Sequence, residues 1–320
     1  MGKKKTSSDD VVAAAISAAF PDASITRRSE VCSLWAGYGS IYRVILSGES
    51  SSSVIVKHIV APSSAASSVS NKRKLDSYAV EGYFYAHLSA ASTLARLPHV
   101  HSMTASAHAF CFVLEDLAPA YPKSFHSLGG ATLETALTWL AHFHATYWNV
   151  RDDNVAETGG YWYLATRQDE LDAMGNDPYS AALKAQAAAI DRHTRAFPQF
   201  ETLLHGDAKS ANMLWADDRS CAWVDFQYVG RGLGAKDLAY MLCSSTSRAD
   251  VARADDHLRF YFDAFDAAMT SLGNTSHGYT VELLLDHFDW CLLDYVRFMA
   301  GWGYWGNYDW AIQRTKHLLA

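Results

Sequence analysis

Leu204-His205-Gly206-Asp207-Ala208-Lys209-Ser210-Ala211-Asn212-Met213-Leu214-Trp215 is followed nine residues later by Val224-Asp225-Phe226-Gln227. A carboxylate at Asp207, an amide five residues on at Asn212 and a second carboxylate thirteen beyond that at Asp225 converge if the first two share a tight loop and the third ends a neighbouring strand. Such a set matches phosphoryl transfer, whose loose, metaphosphate-like transition state asks a protein to position a nucleophile and to neutralise charge on the phosphate oxygens. Asp207 is expected to orient an acceptor hydroxyl and take its proton. Asn212 and Asp225 offer hard oxygen ligands of the kind Mg²⁺ prefers. Lys209 places an ammonium where it reaches a γ-phosphate.

Upstream of this segment the texture is that of a sheet. Ile41, Val44 and Leu46, then Val54-Ile55-Val56 and Ile59, lie on either side of Gly48-Glu49-Ser50-Ser51-Ser52 and predict strands joined by polar turns. A second strand pair is expected over Val100 to Met103 and Ala109 to Leu114. Between the pairs, residues 62–71 read as a Ser- and Ala-rich loop and residues 75–88 as a helix. Val11 to Phe20 reads as a short Ala-rich helix capped by Asp9 or Asp10 and closed by Pro21, after a disordered tail over residues 1–10. Beyond Glu115-Asp116-Leu117-Ala118-Pro119 nearly everything reads as helix: 133–147, with Leu133, Leu137, Leu140, Phe143 and His144 on one face, then 180–197, 247–271 and 280–300. The expected plan is α+β and bilobal, with a small β-rich lobe over 11–117, a hinge near 114–120 and a larger helical lobe over 118–320.

His205-Gly206-Asp207, the four residues before Asn212, and Asp225-Phe226-Gln227 resemble the Brenner motif and metal loop of the aminoglycoside phosphotransferase and choline kinase superfamily, which has a protein-kinase-like fold. The Gln after Asp-Phe is most similar to the ecdysteroid kinase-like branch. In protein kinases the corresponding loops read H-R-D and D-F-G, and no A-P-E segment follows here. Ala36-Gly37-Tyr38-Gly39-Ser40-Ile41-Tyr42-Arg43-Val44 resembles a nucleotide-covering loop in which Gly37, Gly39 and Ser40 approach the phosphates, although Tyr42 stands where a third glycine is usual. The resemblance further implies that Lys57, in Val54-Ile55-Val56-Lys57, binds the α- and β-phosphates of ATP with Glu81 as its partner. It implies that backbone groups of Glu115 and Leu117 hydrogen-bond adenine. Asp237, in Gly232-Leu233-Gly234-Ala235-Lys236-Asp237-Leu238-Ala239, would brace the catalytic loop, and His205 would act as scaffold within it.

The expected cofactors are therefore ATP and Mg²⁺, and the expected reaction is transfer of the γ-phosphate to a hydroxyl of a small molecule. A choline- or ethanolamine-type kinase and a nucleotide-binding pseudokinase scaffold are the competing readings. Two regions are candidates for the acceptor pocket. One is Tyr161 and Trp162, after Gly159-Gly160; the other is the aromatic C-terminal stretch with Trp302 and Trp305, where Gly301, Gly303 and Gly306 are expected to break a helix. Asp286 and Asp289 would suit a cationic or polyhydroxyl acceptor in the second.

Composition narrows the partners. The net charge of -7 argues against a broad surface for nucleic acid. With 49% hydrophobic and 19% charged residues the chain is expected to fold throughout. The five cysteines are scattered singly and read as buried thiols of a reducing, cytoplasmic setting. Met1-Gly2-Lys3-Lys4-Lys5-Thr6 fits the loose myristoylation pattern, so contact with a membrane is expected only if Gly2 is lipidated; the tail is read here as solvated.

Overall fold

In the computed structural model the described residues are 8–47, 52–62, 69–106 and 109–319. The chain divides into two compact units, Met1–Ser89 with Leu97–Ala120, and Ala90–Arg96 with Tyr121–Ala320. The first therefore reaches three residues past the expected break at 117, and the short segment Ala90–Arg96 belongs with the second.

The first unit comprises α1 (Ser8–Ala19), β1 (Ile25–Ser33), β2 (Gly39–Leu46), β3 (Ser52–Val60), α2 (Val69–Tyr83), β4 (Val100–Ala105) and β5 (Ala109–Glu115). The strands form one antiparallel sheet in the order β1-β2-β3-β5-β4. Side chains alternate between the faces of a strand, and that period sorts this sheet. Val44 and Leu46, Val54 and Val56, and Cys111 and Val113 form one buried cluster with Val12, Ala15 and Ile16 of α1, which recur at helical spacing. Lys57, one residue out of phase with Val54 and Val56, points to the opposite face, where it meets Glu81 of α2. β1 was not expected because Thr26-Arg27-Arg28-Ser29-Glu30 shows no apolar alternation; it is an edge strand, exposed along most of its length.

Several boundaries differ from the sequence reading. The helix placed at 75–88 begins at Val69 and gives way to a π-helical turn over Phe84–Leu88. Ser8, Asp9 and Asp10, assigned to a tail, already belong to α1, while residues 1–7, including the myristoylation pattern, lie outside the described residues.

The second unit holds α3 (Ala131–Thr146), α4 (Gln168–Asp172), α5 (Pro178–Thr194), β6 (Glu201–Leu204), β7 (Met213–Asp217), β8 (Ser220–Trp223), β9 (Gly230–Leu233), α6 (Ala235–Ser245), α7 (Arg248–Val251), α8 (Ala254–Ser271), α9 (Val281–Trp302) and α10 (Tyr308–Thr315). α3 packs on α8, and α9 packs on α4, α5, α6 and α10. α5 starts at Pro178 because Asp177 caps it, accepting from the N–H groups of Tyr179 and Ser180. The region expected to be almost wholly helical also contains two antiparallel strand pairs, β6 with β9 and β7 with β8. At four or five residues each, these strands are too short to show a period of two in sequence. They position the candidate site residues: the loop between β6 and β7 carries Asp207 and Asn212, and Asp225 follows β8.

Four cysteines are buried and unpaired, but Cys32, expected to be buried, is exposed on β1. Among the described residues no helix is long and apolar enough to cross a membrane.

Candidate active site

Gly206 turns the chain between β6 and the loop with φ +79°, and a Cβ there would sit 2.2 Å from the carbonyl oxygen of Tyr228. Only glycine fits both the conformation and the space. The turn delivers Asp207, whose carboxylate is held by three side chains. Oδ2 accepts from Asn212 Nδ2 at 3.0 Å and pairs with Lys209 Nζ at 2.8 Å, while Oδ1 accepts from the hydroxyl of Tyr240 at 3.1 Å. Asn212 also donates to the Asp207 carbonyl at 2.9 Å, which locks the five-residue spacing seen in the sequence. Burial pulls the Lys209 ammonium toward a lower pKa, but the charge and hydrogen bond of Asp207 outweigh it, so Lys209 titrates above its ordinary value and stays charged.

The loop is fixed from beneath by Asp237 on α6. Its Oδ2 accepts from His205 N–H at 2.6 Å and its Oδ1 from Gly206 N–H at 3.0 Å. His144, on α3, reaches the same carboxylate through Nε2 at 3.2 Å, and its Nδ1 meets the Tyr261 hydroxyl at 2.7 Å. Burial and the charge of Asp237 push the Tyr261 phenol well above its usual pKa, so it remains a donor to His144. The sequence reading placed His144 in the core without this role.

The tautomer of His205 follows from its partners. Nε2 lies 3.0 Å from the carbonyl oxygen of Val224, which can only accept, so Nε2 carries the hydrogen. Nδ1 then accepts from the N–H of Asp207 at 3.3 Å. Burial lowers the pKa of the ring, against the pull of Asp237, Asp207 and Asp225, and keeps it neutral. His205 thus ties the Asp207 turn to the strand end that precedes Asp225, and Val224 N–H in turn donates to the carbonyl of Asn212 at 3.0 Å. Asp225 itself has φ 71°, one of three non-glycine residues with positive φ among the described residues. Gln227 donates to its Oδ2 at 3.1 Å. Phe226 is buried against Trp139, Phe143 and His205, anchoring the segment.

In the first unit, Lys57 Nζ binds both oxygens of Glu81, at 2.9 and 2.7 Å, and the two side chains are 4% and 1% exposed. Gly39 opens β2 with φ +123°, where a Cβ would meet the His58 carbonyl oxygen at 2.1 Å; Gly37 ends the turn before it. Ser40 donates to Glu30 at 3.0 Å. Glu115 closes β5, donating its N–H to the His99 carbonyl, and the Leu117 side chain is buried two residues later. Asp116, between them, accepts from Arg43, Ser53 and the N–H of Ala118. Burial raises its pKa, but these bonds and the Arg43 charge prevail and hold the carboxyl below its ordinary value.

The residues expected around the acceptor do not form one group. Tyr161 lies beside the catalytic loop, its hydroxyl 3.0 Å from that of Tyr240. Trp305 packs edge-on against Tyr240, in a turn whose Asn307 N–H donates to the Cys243 carbonyl of α6, and Trp302 is 51% exposed against Phe298 and the Arg167 guanidinium. Trp162, by contrast, is 2% exposed and packs on Tyr295 and Phe298 inside the unit. Asp286 and Asp289 sit far along α9: sixteen residues of helix place Asp286 about 24 Å from Trp302. Asp289 is engaged by Arg314, and Asp286 lies 3.9 Å from His193. α9 also runs through Gly301, which was expected to break it; the glycine leaves room for the backbone of Glu170, whose carbonyl oxygen a Cβ there would meet at 1.8 Å. Tyr240 escaped the sequence reading, although it stands three residues after Asp237, hence on a neighbouring part of the same helical face.

Residues 37–271, well over half of the chain, match the model of a family described as the phosphotransferase enzyme family, APH. The chain belongs to the phosphotransferase enzyme family. Solved structures agree on the fold. The chain is 17% identical to macrolide 2'-phosphotransferase MphH from Brachybacterium faecium, covering 96% of this chain and 98% of that one with a TM-score of 0.53. It is 12% identical to amicoumacin kinase hAmiN, solved in complex with AMP-PNP, Ca²⁺ and Ami, covering 91% and 87% with a TM-score of 0.52. No match was found among curated protein sequences. The β-rich N-terminal sheet and helical C-terminal region are the α+β, protein-kinase-like arrangement of such phosphotransferases. Among the described residues of this family member, no group of three or more His, Cys, Asp or Glu side chains could hold a metal ion. Asn212 and Asp225 offer two hard oxygen donors, a set that fits Mg²⁺, which commonly takes its other ligands from phosphate and water.

Proposed function

We propose that this phosphotransferase moves the γ-phosphate of ATP to a hydroxyl of a small-molecule acceptor, with Asp207 as the base. The observation that carries this reading is the Asp207 carboxylate: buried, fixed by Lys209, Asn212 and Tyr240, and set on a turn that Asp237 braces through two backbone N–H groups. In the proposed step the acceptor oxygen forms a bond to the γ-phosphorus as its proton passes to Asp207, and the bond between that phosphorus and the β,γ-bridging oxygen breaks, leaving ADP with the electron pair. Lys209, charged beside Asp207, offsets negative charge on the transferred group. Lys57 holds the α- and β-phosphates, and Glu81 holds Lys57. Mg²⁺, bound by Asn212 and Asp225, would neutralise charge on the phosphate oxygens. Glu115 and Leu117 are assigned to adenine, and Gly37, Gly39 and Ser40 to the loop over the phosphates.

Within the family we place the chain nearest the ecdysteroid kinase-like branch, on Asp225-Phe226-Gln227, which points to an alcohol with apolar bulk. The aromatic surroundings of Asp207 support this: Tyr240 donates to it, Tyr161 and Trp305 pack on Tyr240, and the acidic pair Asp286 and Asp289 is engaged by His193 and Arg314. The test is ATP consumption against a library of hydroxylated metabolites, with mass spectrometry of the products. Phosphorylated product from wild type and none from Asp207→Ala, which still binds Mg-ATP, is the expected result. Continued acceptor phosphorylation by Asp207→Ala refutes the assignment.

A further inference from the structure

The hydrogen bonds between Tyr161, Tyr240 and Asp207 run in a single direction. A carboxylate only accepts, so Tyr240 must donate to Asp207 Oδ1. Its one proton is then spent, and the 3.0 Å contact between the phenols requires Tyr161 to donate to Tyr240. Both phenols stay protonated, because burial, reinforced by the charge of Asp207, raises the pKa of each. Tyr161 therefore presents only oxygen lone pairs to a third group. Asp207 is constrained in a similar way. Oδ2 already serves Asn212 and Lys209, whereas among the described residues Oδ1 accepts a hydrogen bond from Tyr240 alone and keeps one accepting position. Two consecutive hydrogen bonds of about 3 Å set the two accepting oxygens no more than about 6 Å apart, a gap that neighbouring polar groups on one molecule can bridge.

The Tyr161 ring is also held in place. It packs against Tyr228 and Phe298, the Arg167 guanidinium lies 5.3 Å from its centroid, and Arg167 Nε donates to the Tyr161 carbonyl at 2.8 Å. A rigid group with an unfilled accepting role selects by what it leaves unpaired.

Resting on Asp207 as the base, we propose that Tyr161 is a specificity-determining residue that accepts a hydrogen bond from a second hydroxyl or amino group of the acceptor, next to the hydroxyl phosphorylated through Asp207 Oδ1, and that Tyr240 is the positioning residue linking the two. The substrate class is thus a vicinal diol or 1,2-amino alcohol carried on an apolar body.

The test uses matched probes: vicinal diols and 1,2-amino alcohols on cyclic and terpenoid frameworks, each paired with its mono-hydroxyl counterpart. Wild type is expected to favour the two-donor member by about tenfold or more in kcat/KM, and Tyr161→Phe to erase that preference by raising KM for it alone. Tyr240→Phe removes the hydroxyl that takes the Tyr161 proton, so it is expected to lose the same preference through KM although Tyr161 is intact. A purely structural role for Tyr240 lowers the folded fraction, and with it kcat for both members of a pair, and leaves the ratio of their kcat/KM values in place. Equal turnover of the paired probes, turnover of neither, a preference that survives Tyr161→Phe, or one that survives Tyr240→Phe each overturns the proposal. If Asp207→Asn transfers phosphate as fast as wild type, it is the assignment of Asp207 as the base that fails.

Discussion

Glu81 in the first unit and Asp207 in the second are both buried carboxylates facing a lysine, yet they are built for different work. Glu81 gives both oxygens to Lys57, joining α2 to β3 in a clamp. Asp207 divides its oxygens among Lys209, Asn212 and Tyr240, and the turn beneath it is held separately by Asp237 and His205. The difference shows how one pairing of charges serves two ends. A carboxylate that gives both oxygens to one cation fixes that cation, whereas one held from several sides by different groups can keep an accepting position.

The largest effect expected from this contrast is on turnover. Asp207→Asn keeps the size of the side chain but removes the base, and kcat should fall by about 10²–10⁴-fold, with nucleotide affinity, measured by calorimetry, little changed. Lys57→Met should show the opposite profile. It removes the cation paired with the buried Glu81 carboxylate, costing about 3–5 kcal/mol of stability in denaturant unfolding, and Lys57→Met with Glu81→Leu should recover much of that stability but not ATP binding. A stable Lys57→Met single variant would break the comparison.

Asp237→Asn lies between these cases. It turns one acceptor of a backbone N–H into a competing donor, for an expected loss of about 1–3 kcal/mol, together with lower kcat because the Asp207 turn loosens. His205 adds a pH signature. Its folded pKa is below the ordinary 6.5, so the unfolded chain binds the proton more readily. Stability from this group is complete above that pH and is lost as pH falls below it. His205→Asn should flatten the corresponding part of the stability curve, and an unchanged curve would show that the ring tolerates protonation in place. The smallest effect is predicted for Asp289→Asn, which should leave kcat and KM unaltered and cost no more than about 1 kcal/mol through Arg314.

Much of the candidate loop around Asp207 was legible because its order is local. His205, Asp207, Lys209 and Asn212 lie within eight residues, and the structure joins three of them directly to Asp207. The Lys57 and Glu81 pairing was also readable, through resemblance and the phase of the strand. The acceptor side was not. Asp286, Asp289 and Trp302 looked like neighbours because all fall in one helical stretch, but a helix of that length separates its ends, and the acids are engaged elsewhere. Trp162 looked like a wall beside Tyr161, yet adjacent residues at that turn face different ways, one toward Tyr240 and one into the interior.

What the sequence determined by itself was the kind of chemistry and the sheet-then-helix order, because oxygen ligands, a lysine and periodic apolar residues are properties of short segments. What tertiary structure alone decided was which oxygens of Asp207 are occupied and by whom. Tyr240 and Tyr161 lie 33 and 46 residues from Asp207 along the chain, on opposite sides of it, and no local pattern specifies that their hydroxyls meet. Hydrogen-bond direction depends on atoms brought within about 3 Å of one another, and only the packed helices and turns bring them there.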